Sequence, residues 1–279
     1  MKIFEANITQ QVSDFFRKRL NRTTTLKTAN QKMIEACGIK NFFECEEELE
    51  ALKVIISATD NLVEEPDRAE YGDFQTNSQL ADNVAVFLQQ AGSNPKIIIE
   101  PTCGKGNFVL ASLKTFKEIQ KIFAVEIYKP YVWETKFNIL QFFLENPDSK
   151  IPEIEICHAN VFDFDFQKIS KEYSNEKVLV IGNPPWVTNS KLSSLESNNL
   201  PIKSNFKKHS GLDAMTGKGN FDIGEYITLM MFDAFQKLNG HFAFLVKNSV
   251  IKNVLLDQKN RNYKIADIQK LTIDSKKEF

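Results

Sequence analysis

Asn183, Pro184, Pro185 and Trp186 follow directly on the apolar run VLVIG at residues 178–182. Proline has no N–H to give to a sheet ladder, so the chain must leave its sheet at this point. The carboxamide oxygen of Asn183 and the backbone carbonyl of Pro184 could each accept one N–H of a ring-bound amine. Such an amine is a poor nucleophile, because its lone pair is delocalised into the ring. Held by two acceptors it shifts towards tetrahedral geometry, and the lone pair is freed for in-line attack on a methyl group carried by a sulfonium. Positioning and hydrogen bonding supply catalysis of this kind, with no strong base required. Trp186 could stack on the ring, as a base lifted out of a duplex needs. The plainer alternative is a turn after a strand, with Trp186 in the core.

A second set of residues lies upstream, in IIIEPTCGKGNF at 97–108. A strand ending in Glu100 turns through Gly104 and Gly106 and opens a helix, a turn that lets a ligand approach the backbone closely. A GxG turn alone is a weak signal. Here a carboxylate directly precedes it, which suits a ligand bearing an ammonium group better than a pyrophosphate. Glu126 ends the next strand, about twenty residues on, where an acid typically binds the two hydroxyls of a ribose. Asn160 follows the third strand and could bond an adenine edge, with Asp163 as the alternative. Together these residues describe a site for an adenosine that carries an amino-acid tail and no phosphates: S-adenosylmethionine.

The elements that must position these groups read as an alternation. QLADNVAVFLQQ, GNFVLASLKTFKEI, PYVWETKFNILQFFLEN and IGEYITLMMFDAFQKLNG have helical periodicity. KIIIE, KIFAVEIY, EIEICHANVF, KVLVIGN and HFAFLVK read as buried strands, and KIADIQKLTID as a sixth. Apolar strands alternating with helices predict an α/β fold, a doubly wound and mostly parallel sheet whose ligands sit at the carboxyl ends of the strands. Residues 1–70 are expected to form an N-terminal helical region, and 71–279 the catalytic domain. Residues 187–220 form the longest irregular stretch. Lys191, Lys203, Lys207, Lys208 and Lys218 there outnumber Glu196 and Asp213, the charge a nucleic-acid lip next to the tetrad would need; a solvated loop is the plain alternative.

Composition narrows the classes. With 42% hydrophobic and 25% charged residues the chain is an ordinary globular protein, and its net charge of −1 leaves polyanion binding to a local patch. RKRLNRTTTLKTANQK (17–32) is one such concentration of positive charge. The four cysteines have no CxxC spacing, and with only three histidines neither a disulfide framework nor a metal site is expected. No apolar stretch reaches spanning length, and MKIFEANITQQ lacks a signal-peptide core, so a cytoplasmic, membrane-free location is expected.

EPTCGKGNF and GNPPW, in this order, resemble the amino-group methyltransferases of DNA, specifically the N6-adenine enzymes of restriction–modification systems. YGDFQTNSQLADNVAVFL, upstream of the glycine turn, looks like the segment that precedes it in the gamma arrangement of that family. The likeness runs from residue 71 to the end. It implies methyl transfer from S-adenosylmethionine to the N6 amine of an adenine flipped out of double-stranded DNA, with Asn183, Pro184, Pro185 and Trp186 as the catalytic tetrad. By the same likeness Phe74 and Thr76 would touch the methionine portion, with Glu100 at its amine. Cys103, Gly104 and Phe108 would line the cofactor, and Glu126 would hold the ribose. In GKGNFDIGEYITLMMF, Phe221 or a neighbour would flank the cofactor adenine or the target base. The chain departs from the family in having Trp186 where Tyr or Phe is usual, which keeps stacking and alters pocket size. It also stops before a further strand and a target-recognition region that members carry, which implies a fragment, or a separate specificity or endonuclease subunit or domain as partner. A protein glutamine methyltransferase uses the same kind of tetrad, though usually with a DxGxGxG-like turn. Adenine in RNA, N4-cytosine transfer and a non-catalytic DNA-binding subunit are the other readings.

Overall fold

The computed structural model describes residues 8–57, 76–186, 222–261, 263 and 265–273. Within them six strands form one sheet in the order β1-β4-β3-β2-β5-β6, and every neighbouring pair is parallel. The strands are β1 (Ile39–Lys40), β2 (Ile97–Glu100), β3 (Lys121–Glu126), β4 (Glu153–His158), β5 (Val178–Gly182) and β6 (Gly240–Phe244). From β2 the chain winds outward through β3 to β4. It then returns to lay β5 against the other side of β2. The direction of winding therefore reverses between β2 and β5, and this is where a doubly wound sheet opens a crevice at its strand ends.

Successive side chains of a strand point to opposite faces, and the core divides accordingly. Ile98, Ile122, Ala124, Ile154, Ile156, Leu179 and Ile181 pack on one side. Ile97, Ile99, Phe123, Val125, Val178 and Val180 pack on the other. Helices α4 (Ser78–Gln90), α5 (Asn107–Thr115) and α6 (Lys129–Glu145) bring their apolar residues to the first side. Helices α7 (Phe166–Glu172) and α8 (Ile223–Phe235) cover the second, and α9 (Asn248–Arg261) packs on α8 through Val250 and Val254.

The N-terminal helices α1 (Gln10–Arg19), α2 (Leu26–Cys37) and α3 (Glu46–Ser57) belong to the same core. Phe16 meets Phe137 of α6 edge to face at 6.0 Å, and Phe42 meets Trp133 at 5.8 Å. Each fully buried ring of this size contributes roughly 1.5–3 kcal/mol, so the outer face of α6 depends on this segment for cover. Lys129 ties it further, pairing with both Glu44 and Glu48 at 2.7 Å.

Five of the six expected strands are found; the sixth is elsewhere. Residues 265–273 hold no strand, and Ile268 and Leu271 are about half exposed there. Alternation of apolar and polar residues becomes a strand only where it pairs with a neighbouring edge, and the described residues of this segment pair with no strand of the sheet. The sixth place belongs to Ile39–Lys40, pairing with Ile154 and Glu155 of β4. Two residues are too few to show a period in the sequence.

Candidate functional site

The reversal between β2 and β5 brings the two sequence motifs together. A side-chain carbon on Gly182 would stand 3.6 Å from Pro101 Cδ and 3.8 Å from Glu100 Cγ, so the end of β5 lies directly against the end of β2. One cavity is lined by Glu100, Cys103, Gly104, Phe108 and Glu126 together with Asn183, Pro184, Pro185 and Trp186. Thr76 joins them, held by Asn107 Nδ2 donating to its carbonyl at 2.7 Å.

Glu126 is the most firmly placed of these side chains. Its Oε2 accepts from the Gly104 backbone N–H and its Oε1 from the Tyr128 N–H, each at 2.8 Å. The carboxylate thus locks the glycine turn to the end of β3. Thr135 of α6 donates to the Gly104 carbonyl at 2.8 Å, closing the turn from the other side. Gly106 has φ +80°, and a side-chain carbon there would fall 2.7 Å from Thr135 Cγ2, so both conformation and space require glycine.

Glu100 is the opposite case. It is 1% exposed, and Oε2 has no hydrogen-bond partner among the described residues. Burial pushes its carboxyl well above the usual range; a backbone bond from Val109 lowers it in part, and the charge of Glu126 adds to the rise. A buried carboxylate with a spare oxygen fits a ligand ammonium, whose charge and N–H groups would satisfy it. Burial also drives the Cys103 thiol well up, helped by the charges of Glu100 and Glu126, so Cys103 lines the cavity as a neutral wall and not as a nucleophile.

On the tetrad side Asn183 and Trp186 are half-buried. The indole Nε1 of Trp186 donates to the Leu245 carbonyl at 3.2 Å, which pins one edge of the ring to the end of β6. Asn160 stands two residues beyond β4 and its Oδ1 accepts from the Phe162 N–H at 3.0 Å, a local turn. The cavity wall at this point is Ala159, Val161 and Phe162, with neither Asn160 nor the exposed Asp163 among its residues. Phe74, Phe221, Lys207 and Lys208 lie outside the described residues, as does 187–220.

Several wall residues were not singled out from the sequence: Thr102, Asn107, Ile223 and Ile227, though they lie inside the quoted motif segments, and Tyr128, Tyr131 and Phe162. Tyr128 sits two positions after Glu126, and Phe162 follows β4 where Asn160 drew attention. Ile223 and Ile227 come from α8, whose approach to the tetrad no local pattern encodes.

No protein-family profile matches the chain. Over 215 residues it is 41% identical to the type II methyltransferase M.NspV of a Nostoc species, covering 77% of this chain and 43% of that protein. The chain thus spans less than half the length of this curated relative. Among solved structures it is similar to a class I S-adenosylmethionine-dependent methyltransferase of Listeria monocytogenes, at 12% identity over 91% of this chain and 80% of the other, with a TM-score of 0.49. It is also similar to a type I restriction–modification methyltransferase subunit of Streptococcus thermophilus, at 12% identity over 91% and 61%, with a TM-score of 0.45.

Proposed function

We propose that this chain, a homologue of a type II methyltransferase, is the catalytic part of an S-adenosylmethionine-dependent DNA methyltransferase acting on the N6 amine of an adenine turned out of its duplex. One observation carries this reading: Asn183 and Glu100 stand at the ends of adjacent strands and line a single cavity. This supports a site in which an amine acceptor and an ammonium acceptor share one crevice.

The residues fit the cofactor. Glu100 Oε2 is the buried acceptor for its amine, Glu126 is oriented for its ribose hydroxyls, and the glycine turn lets its methionine portion lie against the backbone. When bound, S-adenosylmethionine supplies an electrophilic methyl group on sulfur. Asn183 and the Pro184 carbonyl accept the two N–H groups of the target amine and leave its lone pair unengaged. The prolines keep that carbonyl from turning away, and Trp186 offers a stacking face. None of these groups has to take a proton before attack; it leaves the amine afterwards.

Duplex DNA as substrate has two supports in this chain besides the relative. Residues 15–34 hold six Lys or Arg and no acid. Thr9 and Gln11 bond Gln141 near the end of α6, while Phe16 packs on Phe137. Helix α1 therefore runs opposite to α6 and carries Arg17, Lys18 and Arg19 towards the strand ends that hold the cavity. Lys207 and Lys208 would add to that charge from their stretch after the tetrad. A separate specificity or endonuclease subunit or domain is the partner this reading calls for.

The test uses S-adenosylmethionine labelled in its methyl group, offered unmethylated DNA, RNA and a protein extract, with Asn183→Ala alongside. Label recovered as N6-methyladenine in DNA, and lost with the substitution, is the expected result. Label in N4-methylcytosine, RNA or protein glutamine would replace the substrate and keep the chemistry. A chain that binds the cofactor and transfers nothing to any of them would sink the catalytic reading.

A further inference from the structure

Lys247 lies just beyond β6, three residues from its end, and is absent from the cavity wall. Its ammonium nonetheless reaches back to the tetrad. Nζ donates to the backbone carbonyl of Trp186 at 3.0 Å and to Asp222 Oδ2 at 2.7 Å. Asp222 in turn caps α8, its Oδ1 accepting from the Gly224 N–H at 2.9 Å. The start of α8 also packs on the prolines: a side-chain carbon on Gly224 would stand 3.5 Å from the Pro185 carbonyl oxygen and 3.8 Å from Pro184 Cβ.

Trp186 is thus gripped twice from the same turn. Its indole N–H is held by the Leu245 carbonyl and its own carbonyl by Lys247, while the Leu245 N–H bonds Gly182, the residue before the tetrad. Two anchors at opposite ends of one residue set both where its backbone lies and how its ring is turned. The ion pair with Asp222 fixes the ammonium itself, since the pair is only partly open to water, with 35% and 13% of the two side chains exposed.

We propose that Lys247 is a positioning residue for methyl transfer: by holding Trp186 between β6 and the cap of α8, it sets the stacking face against which Asn183 presents the amine. The inference rests on the function proposed above. Lys247 touches neither cofactor nor target, and its contribution lies in the placement of another residue's ring.

Lys247→Met keeps the stem and removes the ammonium. Asp222→Asn keeps the cap of α8 and removes the charge. Lys247→Arg keeps a cation able to span both acceptors. Methyl transfer to DNA, S-adenosylmethionine affinity by equilibrium dialysis, and acrylamide quenching of tryptophan fluorescence are measured on each. Trp133 is fully buried, so quenching reports Trp186. For Lys247→Met the expected result is a kcat lowered about 10- to 100-fold, as a misplaced group produces, with cofactor affinity within about twofold and quenching increased. Asp222→Asn moves in the same direction by less, and Lys247→Arg restores both readouts.

Unchanged kcat in Lys247→Met overturns the proposal. So does a loss of cofactor affinity that parallels the loss of rate, which would mark a general structural role. Should the unaltered chain transfer no methyl group at all, the proposed function fails first. Quenching then decides the clamp by itself, and equal quenching in the unaltered chain and Lys247→Met removes it.

Discussion

The two halves of the cavity are built differently. The half formed by Glu100, Gly104, Gly106 and Glu126 is closed by bonds between neighbouring βα turns: Gly104 to Glu126, Tyr128 to Glu126, Thr135 to Gly104. The tetrad half is anchored differently among the described residues. It is held in place by elements remote in sequence, through Leu245 beyond β6 and the start of α8. A turn that satisfies its own backbone is rigid wherever its sheet forms. A short segment gripped by distant side chains is only as well placed as those elements are.

The comparison implies that substitutions separate into effects on rate and effects on binding and stability. Asn183→Ala should give the largest change, a fall in methyl transfer of roughly 10²- to 10³-fold, with cofactor affinity kept. Loss of affinity in parallel with rate would show that the halves are not independent. Glu126→Ala should do the reverse in kind. It strands two backbone N–H groups, costs roughly 1–3 kcal/mol of stability in urea unfolding, and weakens S-adenosylmethionine binding by isothermal titration. Gly106→Ala meets Thr135 and a positive φ, and should cost a similar or slightly smaller amount, roughly 1–3 kcal/mol, read as a lowered melting temperature.

The smallest expected effect concerns pH. Glu100 holds its proton in the folded chain at pH values where the unfolded chain has released it, because burial, with the charge of Glu126 behind it, disfavours the carboxylate. The unfolded chain then binds fewer protons, so the stability of the ligand-free protein falls as pH rises from the ordinary value of 4.5 towards the raised one. Glu100→Gln should flatten that fall in melts taken at rising pH above 4.5, while weakening cofactor binding. An unchanged slope in Glu100→Gln would mean that another group causes it.

Much of the half built on β2 and β3 was legible in the sequence. Runs such as KIIIE and KIFAVE are apolar on both faces, so they had to be buried strands, and an acid at each strand end had to be noticed. What failed did so for lack of context. KIADIQKLTID carries a strand's alternation and forms none in its described residues. Ile39–Lys40, in a segment read as helical, pairs with β4.

By itself, then, the sequence determined β2 to β6, the glycine turn, and the acids and amide that end β2, β3 and β5, because these follow from short-range pattern and from what a buried segment can contain. Only the tertiary structure decided that β5 returns beside β2, that the N-terminal helices complete the core over α6, and that Leu245, Gly224 and Lys247 come to the tetrad. Contacts between residues tens of positions apart carry no local period. They arise from the order in which strands pack and from the closeness that packing then permits.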